Sequence, residues 1–264
     1  MDVIITGATG FVGVEVINDK YLSEKYNFIA CRDPAELVEL TKEYSCPKLL
    51  HLAGRFSGSH NDLWENNVDL TRKVIDGYLK GGGKTVVFLS TGAVYGNSNL
   101  NIKSKETDQT EPPNYYGFTK LICEMIIKEH VGRVGKYFIL RLPNVYGPTQ
   151  KKGVIYNFKQ QIKDKRELCI EGDGEQVRDF LHVKDLLAAI DLILSYEGSS
   201  DIFNISSNLT ITVNQLAKIL IDDKAVKIKL VPDNNGLKKL TLDISKAQKT
   251  IKYLPKINHI ELGV

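Results

Sequence analysis

The sequence predicts an α/β fold in which helices cover both faces of a doubly wound parallel sheet. Six short runs of β-branched and aromatic residues alternate with segments of helical periodicity. The runs are continuously apolar, as strands are when both faces of a sheet are buried. Such alternation is typical of parallel strands joined by crossover helices. Because glycines follow the first strand directly, the predicted fold is Rossmann-like.

The predicted elements follow one another along the chain. Strands are expected at 2–7, 27–31, 48–54, 85–90, 136–142 and 201–206. Helices are expected near 11–22, 34–45, 62–80, 117–131 and 183–196. We assign residues 1–145 and 172–206 to the Rossmann-like domain. Residues 146–171 and 207–264, which are rich in Lys, Asn, Asp and Pro and contain one helical stretch near 213–222, are expected to form a small substrate-binding lobe over the sheet's carboxyl edge.

Length and composition are those of an ordinary globular protein. The chain has 264 residues, 42% of them hydrophobic and 25% charged. Its net charge of +3 is small and its C-terminal lysines are interspersed with apolar and acidic residues, so nothing favours nucleic-acid binding. No leader or membrane-length apolar run is present, and we expect a soluble, cytoplasmic protein.

The cysteines predict neither disulfides nor a metal site. Cys31, Cys46, Cys123 and Cys169 are widely spaced, and none lies in a CxxC pair or near a histidine at metal-ligand spacing. We expect free, partly buried thiols.

The stretch TGATGFVG joins the first strand to the first helix. Its glycines suit a tight turn at Gly7, close approach of a pyrophosphate at Gly10 and close packing of helix on strand at Gly13. The helix N-terminus would offer unpaired N–H groups to the anion. Any tight strand-to-helix turn can use glycine, but the position after the first strand favours binding of a dinucleotide, NAD or NADP.

The second predicted strand ends in FIACRDP, without the acidic residue that often holds the adenosine ribose. Arg32 could instead pair with a 2′-phosphate, which favours NADP over NAD. In the alternative interpretation Arg32 is an exposed loop residue and Asp33 caps the helix that begins at Pro34. CRDPAELVEL also leads straight into that helix, leaving little room for a further strand at this edge of the sheet.

The stretch PPNYYGFTK begins a predicted helix that carries a tyrosine and a lysine four positions apart. Tyr116 and Lys120 therefore lie on one face, whereas Tyr115 points elsewhere. A neighbouring ammonium favours the phenolate and lowers a tyrosine pKa, so Tyr116 could act as a general acid or base. Alternatively, the stretch is a half-buried aromatic pair with a surface lysine.

A second hydroxyl group is expected at the same edge of the sheet. The strand in VVFLSTGAVYG ends with Ser90 and Thr91. A hydroxyl at this position can hydrogen-bond the reacting oxygen and complete a proton-transfer site with Tyr116.

The ordered set TGATGFVG, LSTGAVYG and YGFTK resembles the extended short-chain dehydrogenase/reductase family, in its NAD(P)-dependent nucleotide-sugar epimerase/dehydratase branch. The resemblance implies that Tyr116 is the catalytic acid/base, that Lys120 holds the nicotinamide ribose and that Thr91 orients the substrate hydroxyl. It further implies a set of cofactor contacts: Gly7, Thr9, Gly10, Phe11, Val12, Gly13, Arg32, Leu52, Ala53, Gly54, Asn67, Tyr116 and Lys120.

Further implications rest on the resemblance alone. HLAGRFSG is similar to the loop that runs along the cofactor, and WENNVDLT to the helix carrying Asn67; without the family, Asn66 and Asn67 would be ordinary helix-surface residues. RLPNVYGP and GDGEQVRDFLHVKDL are similar to segments whose asparagine and arginine, here Asn144 and Arg178, bind the substrate's phosphates. LDISKAQKTIKYLPKI resembles the family's closing motif and suggests a complete, compact member.

The sequence leaves open what Arg178 binds and which reaction the enzyme catalyses. Arg178 could pair with Asp173 or Asp179 on a loop. Gly92 and Ala93 follow Thr91 where the similar 4,6-dehydratases carry an acidic pair, which disfavours a dehydratase. The resemblance therefore implies hydride transfer at C4 of a nucleotide-linked hexose, by an epimerase or a ketoreductase.

Two other functional classes fit these residues less well. A reductase of hydrophobic ketones would have no use for Asn144 and Arg178, and a non-catalytic redox sensor would not need Thr91, Tyr116 and Lys120.

The family commonly pairs two long helices across a dimer, and the stretch LICEMII in the 117–131 helix is more apolar than one core-facing stripe requires. We expect a homodimer.

Overall fold

A computed structural model describes residues 1–45, 47–97, 102–164, 167–222, 226–232, 236–257 and 260. The main-sheet strands are β1 Asp2–Thr6, β2 Asn27–Cys31, β3 Lys48–His51, β4 Thr85–Thr91, β5 Lys136–Leu142 and β9 Asp201–Asn204. The remaining strands are β6 Asn144–Tyr146, β7 Leu168–Glu171, β8 Val177–His182, β10 Thr210–Thr212, β11 Ile228–Val231 and β12 Lys239–Leu240.

Up to β9 the helices alternate with the main-sheet strands, as predicted, and further helices follow it. They are α1 Phe11–Asn18, α2 Lys20–Lys25, α3 Leu37–Glu43, α4 His60–Leu63, α5 Leu70–Lys80, α6 Tyr115–Val131, α7 Val154–Lys163, α8 Val183–Leu194, α9 Val213–Ile221 and α10 Ser245–Ile251. Short 3-10 turns occupy Pro34–Glu36 and Gly92–Tyr95, and a π-helical segment, Trp64–Asp69, joins α4 to α5.

The main sheet has six parallel strands in the order β2-β1-β3-β4-β5-β9, which confirms the predicted Rossmann-like fold. Alternate residues of a strand face opposite sides, so Val87 of β4 enters the core under α8 while Val86 enters the core under α5 and α6. Within the described residues the sheet ends at β2, as expected from the short link to the next helix.

The prediction of one continuous helix at 11–22 is wrong, because the structure has two helices, α1 and α2, in this region. The Asp19 backbone is extended, and its carboxylate accepts a hydrogen bond from the Leu22 amide at 2.9 Å, which caps a second helix. Aspartate stabilises a helix start better than a helix interior, so the chain breaks into α1 and α2 at this residue.

The second unit is built on β8, which pairs with β6, β10 and β12, while β7 pairs with β11. Its core lies between α7, α9 and the strands and includes Phe158, Phe180 and Leu216. The sequence-based division placed residues 177–182 with the main sheet, whereas β8 forms all its strand pairings in the smaller sheet. The loops after β4 and β5 bring this unit to the carboxyl edge of the main sheet.

The described cysteines are free: Cys31 and Cys123 are buried and Cys169 is partly buried, as predicted, while Cys46 lies outside the described residues. Across the described ranges no group of three or more His, Cys, Asp or Glu side chains could hold a metal ion. None of the described helices is long and apolar enough to cross a bilayer.

Candidate active site

The glycine turn after β1 has the geometry that its sequence predicted. Gly7 has φ +76°, and a Cβ there would lie 2.6 Å from the Ala53 nitrogen, so the turn passes directly against the loop after β3. A Cβ at Gly13 would lie 2.2 Å from the Gly7 carbonyl oxygen, so α1 packs against the turn only with glycine there. Gly10 precedes α1 without a side-chain cap, which leaves the helix N–H groups open to an anion.

The predicted cofactor-side residues gather around this turn. Thr9 is exposed and Phe11 and Val12 are partly exposed at the start of α1. The loop after β3 begins beside them, because the Leu52 amide donates to the Thr6 carbonyl at 3.2 Å. The glycine turn and the loop after β3 therefore lie side by side at the carboxyl ends of β1 and β3.

Asn67 fastens the loop after β3 to the helices. Its side chain accepts from the Arg55 amide at 2.8 Å, donates to the Arg55 carbonyl at 2.9 Å and donates to the Thr119 hydroxyl at 3.0 Å. A Cβ at Gly54 would come within 2.8 Å of the Asn67 Oδ1 atom. Asn67 is only 2% exposed, so the interpretation as a helix-surface residue is wrong for it.

At the edge strand, Arg32 is exposed and follows β2 directly. The Asp33 carboxylate accepts from the Ala35 amide at 2.9 Å and caps the 3-10 turn that begins at Pro34. This is the capping role that the alternative interpretation gave to Asp33. The Arg32 side chain lies at the surface beside the carboxyl end of β2.

Thr91, Tyr116 and Lys120 come together where β4 meets α6. The Asn114 side chain caps α6 by accepting from the Gly117 amide at 2.9 Å, which sets the first turn that carries both tyrosines. Tyr116 forms a side-chain hydrogen bond with Thr91. Lys120, one turn further on, is 7% exposed, with Nζ 3.9 Å from the centre of the Phe88 ring.

Tyr115 faces a different environment, as helical spacing predicted. Its ring stacks on His60 of α4 with centroids 4.1 Å apart, and it also contacts Phe118. The stretch therefore presents one tyrosine to the sheet edge and one to the outer surface of the helices.

Burial is the largest effect on the pKa values of Tyr116 and Lys120. It raises the pKa of Tyr116 to about 12, with the Thr91 hydrogen bond acting in the opposite direction. It also lowers the pKa of Lys120 to about 8, opposed by the neighbouring Cys123 and Glu124. The sequence-based expectation of a lowered tyrosine pKa is thus wrong for the protein's own groups, because desolvation of the phenolate is the largest effect on the Tyr116 pKa.

Ser90, although adjacent to Thr91, belongs to another network. Its hydroxyl donates to Glu124 Oε1 at 2.5 Å on the opposite face of β4. Thr91 Oγ1 instead accepts from the Ala93 amide at 3.2 Å at the site itself. Of the two hydroxyl groups the sequence offered, only that of Thr91 meets Tyr116.

A buried histidine, which sequence reasoning did not single out, lies behind the site. His51 Nδ1 is 2.6 Å from the Thr6 hydroxyl, and its Nε2 is 3.0 Å from the Thr71 hydroxyl. Burial, followed by the charge of Lys120, lowers the pKa of His51 to about 3, so the ring is neutral near pH 7. His51 thereby joins the strand before the glycine turn to α5.

The predicted substrate residues lie on adjacent strands of the smaller sheet. Asn144 is partly exposed and pairs with Phe180, two residues along β8 from Arg178. The Arg178 guanidinium is buried and donates to the carbonyls of Val177 and Leu237. The neighbouring Asp179 carboxylate accepts from the Ser206 hydroxyl and the Leu242 amide, each at 2.9 Å.

These features define a Rossmann-type dinucleotide fold with a tyrosine–lysine pair at its carboxyl edge. The model of the NAD dependent epimerase/dehydratase family matches residues 3–206. The chain belongs to that family and is an enzyme of its class.

Individual relatives agree with this membership. The dTDP-4-dehydro-6-deoxyglucose reductase of Escherichia coli is 28% identical over 97% of this chain and 93% of its own length. The UDP-glucose 4-epimerase of Thermotoga maritima, solved with UDP-glucose, has a TM-score of 0.85 and 28% identity over 97% of this chain and 94% of that one. The UDP-glucuronic acid 4-epimerase of Bacillus cereus, solved with UDP-glucuronic acid and NAD, has a TM-score of 0.89; at 22% identity, over 97% and 95% of the two chains, it speaks for the fold alone.

Proposed function

We propose that this enzyme transfers a hydride between NAD(P) and C4 of a nucleotide-activated hexose, with Tyr116 as the acid/base. The observation that carries the proposal is the hydrogen-bonded pair of Thr91 and Tyr116 with buried Lys120 one turn away, at the sheet edge that also carries the glycine turn. The E. coli relative is a reductase and the T. maritima neighbour an epimerase of nucleotide-linked sugars, which supports this substrate class.

The residues present fit a dinucleotide. Gly7 and Gly13 pack against the protein's own backbone, whereas Gly10 is exposed at the uncapped start of α1, so a pyrophosphate can approach the turn there. Lys120 would hold the ribose next to the nicotinamide, and the loop fixed by Asn67 would line the other side. When bound, NAD(P) supplies the hydride chemistry.

The protein's own groups handle the proton and the orientation. Tyr116 is protonated near pH 7, the form that reduction of a keto group needs, because its hydroxyl must give a proton to the sugar oxygen. In the oxidising direction the same hydroxyl must first lose its proton, and the charge of Lys120 stabilises the resulting phenolate. Thr91 orients the sugar oxygen. An epimerase uses both directions in turn, whereas a ketoreductase uses only the first.

The packing after β4 disfavours water elimination. A Cβ at Gly92 would lie 2.9 Å from a methyl group of Leu242 and 3.2 Å from one of Leu240, and Ala93 is buried beside them. An acidic side chain at these two positions, where the similar 4,6-dehydratases carry their acidic pair, would meet leucines. Epimerisation and ketoreduction remain as the two outcomes of the same site.

Arg178 provides a test of the substrate class. We expect Arg178→Ala to weaken binding of UDP or dTDP about 10- to 100-fold, because a charge-assisted hydrogen bond contributes about 1.5–3 kcal/mol. Titration calorimetry with both nucleotides measures the effect, and Arg72→Ala, which removes an exposed arginine on α5, is the matched control. Equal affinities in wild type and Arg178→Ala would remove the diphosphate role from Arg178.

We also propose a preference for NADP over NAD, with Arg32 contacting the 2′-phosphate. Arg32 is exposed at the carboxyl end of the edge strand, and no acidic residue follows β2 directly there. In Arg32→Ala, the ratio of NADPH affinity to NADH affinity should fall several-fold, because only the phosphate contact is lost. Fluorescence titration with both cofactors measures this ratio, and an unchanged ratio would contradict the proposal.

A homodimer formed through α5 and α6 is the assembly we propose. Phe118 and Met125 lie seven positions apart on one face of α6 and are 41% and 57% exposed. Trp64, in the π-helical segment that leads into α5, is 37% exposed. Light scattering at micromolar concentration should give twice the chain mass, and Met125→Glu should give the monomer mass. A monomeric wild type would contradict this assembly.

A further inference from the structure

A buried polar cluster holds α6 against the sheet directly beside the tyrosine–lysine pair. Glu124 lies one turn after Lys120 and is fully buried. Its carboxylate accepts hydrogen bonds from the Ser90 hydroxyl at 2.5 Å and from Arg141 Nε and Nη2 at 3.0 and 2.7 Å. Glu124 is therefore bound by a residue of β4 and a residue of β5 at once.

The cluster lies next to both halves of the proton-transfer pair. Ser90 immediately precedes Thr91 on β4, and Glu124 is four residues beyond Lys120 on the same helix face. A change in the Glu124 contacts would shift α6 relative to the end of β4. The Thr91–Tyr116 hydrogen bond spans that same gap, so its length depends on how these two elements are held.

The charges of the cluster are unequal. Lys120 and Arg141 are both buried, and Glu124 is the buried anion beside them; Lys128, whose Nζ is 3.9 Å from Glu124 Oε2, is partly exposed. Arg141 lies over the Tyr95 ring at 4.7 Å, and its Nη1 atom has no hydrogen-bond acceptor in the part of the chain that the structure describes. Removal of the Glu124 charge would leave two buried cations uncompensated.

The other groups around Lys120 cannot replace this carboxylate. His51 faces it from β3 and is neutral, the Phe88 ring covers it from β4, and Tyr116 and Cys123 on α6 have raised pKa values and are uncharged near pH 7. Among the described groups, Cys123 and then Glu124 raise the pKa of Lys120 against the effect of burial, and Glu124 is the carboxylate of the two.

We propose that Glu124 is a positioning residue: it fixes α6 against β4 and β5 through Ser90 and Arg141, and its carboxylate lies on the buried helix face that also carries Lys120. The role of Lys120 in turnover rests on the proposed function; the electrostatic link between the two side chains does not.

The test is the titration of Lys120 in wild type and in Glu124→Gln. Protein labelled with [ε-13C]lysine gives one side-chain signal per lysine by nuclear magnetic resonance, and Lys120→Arg identifies the relevant signal. The midpoint of Lys120 should fall by about one unit or more in Glu124→Gln, because an opposite charge nearby shifts a pKa by about that amount. Glu129→Gln, the same change at an exposed glutamate of α6, should leave it unchanged.

A folded Glu124→Gln with an unchanged Lys120 midpoint would overturn the proposal. If that variant does not fold, Glu124→Gln combined with Arg141→Met removes the uncompensated guanidinium. A lower Lys120 midpoint in this double variant supports the proposal, and an unchanged midpoint overturns it. With an active nucleotide sugar, the alkaline limit of kcat should move to lower pH by the same amount. Absence of any turnover would count against the proposed function, while the titration would still decide the link between Glu124 and Lys120.

Discussion

Tyr116→Phe is expected to lower kcat on the true nucleotide sugar by about 10²- to 10⁴-fold, the usual contribution of a positioned general acid or base. Phenylalanine keeps the ring that packs at the start of α6 but removes the hydroxyl that meets Thr91. Binding of NAD(P) and of the free nucleotide should be nearly unchanged, because the lost group acts on the proton.

Tyr115→Phe is the matched control for this experiment. The Tyr115 ring stacks on His60, away from Thr91, and phenylalanine preserves that stacking. Its kcat should stay within about twofold of wild type, since no proton-transfer contact is lost. Full activity in Tyr116→Phe, or loss of activity in Tyr115→Phe alone, would show that the wrong tyrosine has been assigned.

Lys120→Met is expected to abolish turnover and at the same time to stabilise the fold. Burial lowers the pKa of Lys120 from 10.5 to about 8, so the folded protein holds the proton less tightly than the unfolded chain. That difference corresponds to about 3 kcal/mol of destabilisation at pH 7. Methionine fills a similar volume without the charge, and loss of the contact with Phe88 offsets about 1 kcal/mol of the gain.

The pH dependence of unfolding distinguishes this explanation from simple repacking. In wild type, the free energy of unfolding should rise between about pH 8 and 10.5, where the folded lysine is neutral and the unfolded one still charged. Lys120→Met should lack this rise, so its advantage shrinks as the pH increases. Urea unfolding at pH 7 and pH 10 measures both, with Lys20→Met at an exposed site as control. A less stable Lys120→Met at pH 7 would contradict the account.

Much of the fold was predictable because burial on both faces leaves a simple sequence pattern. Strands such as Thr85–Thr91 contain an unbroken apolar run, here at 86–89, and the Asn114 cap marks the start of α6. Helix α7 was not predicted: Ile155, Phe158 and Ile162 form its buried face, but the residues between them are mostly polar and the helix packs on a unit without regular alternation. Such a helix depends on its tertiary partners more than on its own sequence.

The candidate site, like the fold, was predictable from the sequence only in part. Spacing alone separates Tyr116 from Tyr115, and glycine positions alone indicate the close approaches at the turn. The direction of the Tyr116 pKa was not predictable, since it depends on how closely the protein surrounds the phenol. Arg141 is a sequence signal for the Glu124 cluster: it interrupts the apolar part of its strand, and an arginine in a doubly covered strand requires a buried acidic partner, here Glu124.

Hydride transfer at C4 of a nucleotide-linked hexose can be measured directly. The protein should be incubated with UDP- and dTDP-hexoses and with 4-keto sugars, with NAD or NADPH, while absorbance at about 340 nm reports the cofactor and the products are identified by nuclear magnetic resonance. We predict either exchange of configuration at C4 without net change in cofactor, or reduction of a 4-keto sugar with one NAD(P)H consumed per product, and loss of both in Tyr116→Phe. Turnover confined to apolar ketones, or 4,6-dehydration, would contradict this account.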